Sequence, residues 1–221
     1  MSKKNISREK IIQAFLANAF ERSPGATSLA DIADYLEIKK ASLYNHFENR
    51  DDMYAATLEY SEKEINSISF LADKVLDSIK NNKITITTLF KKLIARYFNL
   101  FETEPTFQVY VFIHSEQYFN LKAYEIVNLQ YEKITDEIRK ILSAFMDEEK
   151  LEEKSEKETR EIAAYISSMI LQQLDLSIAN RKEIVRQNPE SGAGSLFELP
   201  SDDTAVNRTV KLLDNYLKAV L

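Results

Sequence analysis

The sequence predicts an all-α protein, and three observations carry that prediction. Glycine occurs 3 times and proline 4 times in 221 residues, so few positions interrupt regular structure. Apolar residues recur at three- and four-residue spacing along most of the chain. Where that spacing lapses, Ser or Thr often precedes the next run, as a helix N-cap would. The pattern divides into an N-terminal three-helix domain containing a helix-turn-helix and a larger C-terminal helical domain.

Ser7 caps a helix over 8–22, with Ile6 placed to staple onto Ile11 and a stripe of Ile11, Ile12, Phe15, Leu16, Ala19 and Phe20. Pro24-Gly25 ends it. Ser28 precedes Leu29, Ile32, Ala33 and Leu36, and Asp31 stands at the capping-box position. Glu37, Ile38 and Lys39 interrupt that helix. Lys40 to Phe47 resume as a second short helix, whose Leu43 and Phe47 turn inward at i, i+4. Its other face carries Lys40, Ser42, Tyr44, Asn45 and His46. Two short helices across a tight turn, the second polar on its outer face, are built to enter a DNA major groove.

The order Ile32-Ala33, then Leu43-Tyr44, His46-Phe47 and Arg50, resembles the N-terminal domain of the TetR family of transcriptional repressors. The resemblance covers roughly residues 5–65, with the motif at 28–47. Two departures stand out. Glu37 occupies a turn position where the family usually has glycine, which predicts a left-handed backbone costing about a kcal/mol. Arg50 replaces the usual lysine and can still hold a phosphate.

The remainder, 66–221, reads as the helical effector-binding and dimerisation domain that the resemblance implies. A helix begins at Asp51 and runs to about Ser69, and its two acidic residues suit its N-terminus. A short helix spans 71–80 and closes at Asn81-Asn82. Thr85 or Thr88 starts the next, through Leu89, Leu93, Tyr97 and Phe101. Pro105 opens a helix to Gln117, and Lys122 to Met146 form a long one. Residues 150–157 are a charge-dense connection. The apolar helix 158–187 follows, with small residues Ala163, Ala164, Ser167 and Ser168 leaving room for close approach. A loop spans 188–203, and the last helix, 204–220, sets Val206, Val210, Leu213, Leu217 and Val220 at near-heptad spacing.

Charge is distributed unevenly. The net charge is −6, yet residues 1–50 carry +2 and the rest −8. The basic residues Lys3, Lys4, Arg8, Lys10, Lys39, Lys40 and Arg50 form a local excess that can meet phosphates. No cysteine occurs, so disulfides and thiolate metal sites are excluded. His46 and His114 are the only histidines and lie in different predicted domains, which argues against a metal centre. No cofactor is expected. There is no Gly-rich phosphate loop and no nucleophile–base–acid set, so the chain is not expected to be an enzyme. No membrane span or leader is expected, which favours the cytoplasm.

Matched to the family motif, Lys40, Ser42 and Asn45 are expected at base edges, and Ser28, Tyr44, His46 and Arg50 at phosphates. Lys39 and Ala41 complete the expected DNA-binding set. The resemblance further implies a homodimer through the last two helices, with Leu213 and Leu217 in its seam, reading a pseudo-palindromic operator in double-stranded DNA. It also implies a repressor released by a small effector. Tyr97, Phe101, Phe107, Tyr110, His114, Tyr118 and Tyr131 are the candidate pocket residues. Each of them also suits a plain core. Because no Lys or Arg lies between Tyr97 and Lys122, an apolar or cationic effector is favoured. Two rivals remain: a TetR-like DNA-bound adaptor controlled by a protein partner, and a helical enzyme or ligand carrier. A filled aromatic core would favour the adaptor.

Overall fold

The computed structural model describes residues 6–81, 84–188 and 199–220. The expected contributions of Lys3, Lys4 and Asn82, and most of the 188–203 loop, lie outside the described residues. Among those described, the helices are α1 (Arg8–Arg22), α2 (Leu29–Tyr35), a 3₁₀ helix (Lys40–Asn45), α3 (Arg50–Ser67), α4 (Val75–Asn81), α5 (Ile86–Phe101), α6 (Thr106–Glu116), α7 (Leu121–Asp147), α8 (Glu156–Gln187) and α9 (Asp203–Val220). The protein is all-α, as expected. The chain forms two compact units, one of residues 1–67 with 104–127 and the other of 68–103 with 128–221.

In the first unit, Ser7 accepts from the Lys10 N–H and starts α1. Ile11, Phe15, Leu16, Ile32, Leu43 and Met53 are fully buried and make the core beneath the helix-turn-helix. α6 adds to it: Phe112 meets Phe15 edge-on at 6.1 Å, and Phe107 meets Phe20 at 5.0 Å. α6 therefore shares the core of α1.

The second unit is centred on Phe70, Phe90, Phe98, Phe101, Ile138, Leu142, Ile166 and Ile170. Its entry segment is held by side chains. Glu137 of α7 accepts from the Ser69 hydroxyl at 2.6 Å and from the Phe70 and Leu71 N–H groups at 2.6 and 3.1 Å. Lys133 donates to the Ile68 carbonyl and Arg96 to the Ser69 carbonyl. α4 starts at Val75 rather than at Leu71 because Lys74 takes a left-handed φ of 62°, which a right-handed helix cannot contain.

Two further expectations change. α8 starts at Glu156, two residues early, because Ser155 and Glu158 form a capping box. By length and composition alone α8 could also cross a membrane, a test that a core helix passes as well. Here Ile162, Ala163, Ile166, Ser167, Ile170 and Leu174 bury one side of it within the unit. In α9, Leu213 and Leu217 are not at an outer seam; they are 0% and 5% exposed within their own subunit. The heptad stripe of α9 faces α5 and α8 of the same chain.

Candidate DNA-binding surface

The site is built on two capped turns. Ser28 accepts from the Asp31 N–H at 3.2 Å, while the Asp31 carboxylate accepts from the Ser28 N–H at 2.9 Å and its hydroxyl at 2.6 Å. Arg22 adds an ion pair to Asp31 at 2.7 Å. Together these bonds hold the Asp31 carboxyl below the usual carboxylate range, the Ser28 hydroxyl contributing most. The expected capping box is present. α2 then closes at Leu36, and Glu37 adopts φ 55°, the left-handed turn that its non-glycine side chain makes costly.

The next element differs from expectation in its winding. Residues 40–45 are a 3₁₀ helix, with no side chain capping its start at Lys39. So short a piece, anchored at both ends, tightens to i→i+3 bonding. Leu43 and Phe47 are 1% and 3% exposed, so they anchor it as the i, i+4 spacing predicts. Lys39, Lys40, Ala41, Tyr44 and Asn45 are exposed, and Ser42 and His46 half-buried. At three residues per turn, Ser42 and Asn45 stand one above the other on the outer side. The arrangement offers hydrogen-bond donors and acceptors, two lysine charges and a half-exposed tyrosine, with no carboxylate between Lys39 and Phe47.

Arg50 has a structural task that the sequence does not reveal. Its Nε donates to the Thr27 carbonyl at 3.0 Å and a terminal nitrogen donates to the Pro24 carbonyl, fastening the α1–α2 connection to the start of α3. Two of its donors therefore face inward, away from the phosphate role expected of it. Arg8, in the sequence only one positive charge among several, has a second task. It lies over the Phe47 ring at 4.4 Å and donates to the His46 carbonyl, bracing the end of the 3₁₀ helix. Neither contact leaves a local signal, because each links positions 23 or more apart in sequence.

The seven candidate pocket residues do not converge in one unit. Tyr97, Phe101 and Tyr131 belong to the second unit, and Phe107, Tyr110, His114 and Tyr118 to the first. Tyr97 and Phe101 are packed edge-on at 5.1 Å and buried, and the Tyr97 hydroxyl accepts from Gln130 at 3.1 Å. Burial pushes the Tyr97 phenol well above its usual range. Tyr110 stacks on His114 at 3.8 Å, Phe107 is buried, Tyr131 is half-buried and Tyr118 is 79% exposed. A surface cavity of about 590 Å³ in the second unit lies between the end of α8 and the start of α9. Arg181, Ile184, Leu199, Pro200 and Arg208 are among its walls, and the candidate aromatics are not.

A capped helix, a tight turn and a short second helix with an exposed polar face, braced by α1, define a helix-turn-helix DNA-binding protein. Residues 11–57 match the family described as bacterial regulatory proteins, tetR family. The nucleoid occlusion factor SlmA of Vibrio vulnificus is 28% identical over 143 residues, which is 64% of this chain and 69% of the relative. A TetR-family transcriptional regulator of Mesorhizobium loti matches in fold with a TM-score of 0.60 at 12% identity, over 99% of this chain and 98% of that one. A TetR transcription regulator of Haloarcula marismortui matches with a TM-score of 0.60 at 15% identity, over 97% of both chains. Residues 11–57 are a DNA-binding domain of the TetR type, and the chain is a DNA-binding regulator.

Proposed function

We propose that this regulator is a repressor, and that two copies read a pseudo-palindromic operator with residues 40–47. In this reading Lys40, Ser42 and Asn45 face base edges. Lys39, Tyr44 and His46 face phosphates, and Ser28 and Arg50, whose donors are already engaged, act by positioning the turn. The carrying observation is the exposed polar side of the 3₁₀ helix, held by buried Leu43 and Phe47. The two copies join through α8 and α9, and the protein works in the cytoplasm as a DNA-binding rather than a catalytic protein. Asn45→Ala is expected to cost about 1–3 kcal/mol of operator affinity and to relax preference at one base pair. Equal discrimination between operator and scrambled DNA by variant and wild type, in a binding titration, would place the reading face elsewhere.

A small apolar or cationic effector would release DNA by binding the released state more tightly than the DNA-bound one. α6, packed on Phe15 and Phe20 of α1, is the element through which such a change reaches the reading helices. The second reading, control by a protein partner, is favoured by the buried, filled positions of Tyr97, Phe101, Phe107 and Tyr110. A thermal-shift screen of hydrophobic and cationic compounds, followed by operator-release assays, separates the two. Release by such a compound alone supports the effector reading.

A further inference from the structure

Exposed large apolar side chains are concentrated at one corner of the first unit. Tyr118 is 79% exposed, Phe119 87%, Leu121 72% and Tyr124 50%, all within seven residues of the α6–α7 connection. Large exposed apolar side chains gathered in so short a stretch are the kind of surface that marks interaction sites. Much of its backbone is engaged. The Phe119 and Asn120 N–H groups both donate to the Glu116 carbonyl at 2.9 Å, Gln117 caps the His114 carbonyl at 2.8 Å, and Asn120 Oδ1 accepts from Ala123 at the start of α7. The corner is also fixed to α3, through a Tyr54 hydroxyl donating to Glu116 and a Lys122–Glu62 ion pair at 2.6 Å. Aromatic side chains presented on ordered backbone lose little conformational freedom on binding, as interface anchors require.

The surrounding charge selects the occupant. Lys122 is paired with Glu62 at 2.6 Å, and Glu125 and Glu59 also act on its charge, so carboxylates outnumber the lysine they surround. A second copy meeting this corner about a two-fold axis would bring two acidic sets together, which costs affinity. An anionic membrane or DNA is disfavoured for the same reason. A partner carrying Lys or Arg beside its apolar side chains gains on both counts. We infer that the Tyr118–Phe119–Leu121–Tyr124 corner docks a protein segment with apolar anchors flanked by basic residues. The inference deepens the protein-partner reading by naming where, and with what chemistry, the partner binds.

The test pans random peptides displayed on phage against the full-length protein. Counter-selection uses the Tyr118→Ser/Phe119→Ser variant, whose altered side chains are exposed and outside the core. Enriched peptides are expected to carry Leu, Ile or Phe beside Lys or Arg. Synthetic copies should bind the wild type at least about tenfold tighter than the variant. Glu59→Lys/Glu125→Lys should weaken the same peptides while leaving the apolar corner in place. The inference is overturned if no peptide is enriched over the counter-variant, if enriched peptides are acidic, or if charge reversal has no effect. It is also overturned if the serine variant sediments as a smaller assembly than the wild type, because the corner would then be a contact between copies. Adding a captured peptide to the operator complex tests the regulatory reading separately. Peptide binding with unchanged operator affinity keeps the surface and removes its regulatory role.

Discussion

Arg50 and Asn45 show how neighbouring polar residues in one motif divide between holding the fold and using it. Asn45 is exposed and Arg50 is half-buried with its donors on two main-chain carbonyls. Arg50→Ala leaves the Thr27 and Pro24 carbonyls without a charged donor, and hydrogen bonds to charged groups contribute about 1.5–3 kcal/mol. Urea unfolding should therefore show a loss of that size for Arg50→Ala, with the salt slope of operator binding unchanged. A flattened slope with intact stability would return Arg50 to the phosphates. The residue type was legible in the sequence and its task was not. An arginine's partners are set by a fold that brings residue 50 to residues 24 and 27. The strained turn at Glu37 was legible, because a missing glycine in a known turn predicts a positive φ without any tertiary information.

At the scale of elements, local chemistry carried most of the fold. Ser7, Ser28 and Thr85 each cap the helix expected after them, since an N-cap bond spans only three residues. The capping box of α2 also predicts a pH dependence. Asp31 has its pKa depressed by the folded-state bonds to Ser28 and Arg22. Its contribution is therefore complete above the ordinary carboxylate pKa and is lost as pH falls through the depressed value. Urea midpoints taken from about pH 5 down to about pH 3 should fall less steeply for Asp31→Asn than for wild type. Parallel curves would mean that the box contributes nothing that titrates. What local chemistry missed was winding and coverage. The 3₁₀ form of residues 40–45 depends on anchors at both ends, and the late start of α4 follows from a left-handed Lys74 that no sequence signal marks.

For the whole molecule, periodicity identifies an apolar face without saying which chain covers it. The α9 stripe through Leu213 and Leu217 is covered by its own subunit, so charges there would unfold the protein rather than dissociate a dimer. The outward large apolar residues of the last two helices are instead Tyr165, Leu176, Ile184 and Leu212, at 67%, 43%, 45% and 42% exposure, with Tyr216 against Tyr165 at 5.9 Å. If α8 and α9 join two copies, Leu176→Asp with Leu212→Asp should yield a folded monomer by sedimentation. That monomer should have lost most affinity for a full operator and little for a half-site. A variant that stays dimeric would move the interface off these helices.

The Glu137 carboxylate gives residues 68–71 an unusual reporter. The Phe70 and Leu71 amides are protected by a side chain from α7, over 60 residues away, rather than by a carbonyl of a helix containing them. Their deuterium uptake therefore reads out excursions of α7 itself. In Glu137→Gln, where a neutral amide oxygen replaces the charged oxygen that both amides share, these two amides should exchange faster while those in the middle of α3 keep their rates. Any ligand or partner that loosens α7 should produce the same signature in the wild type. Hydrogen exchange at two adjacent residues would then time the arrival of a regulatory signal before any change in DNA affinity is measured.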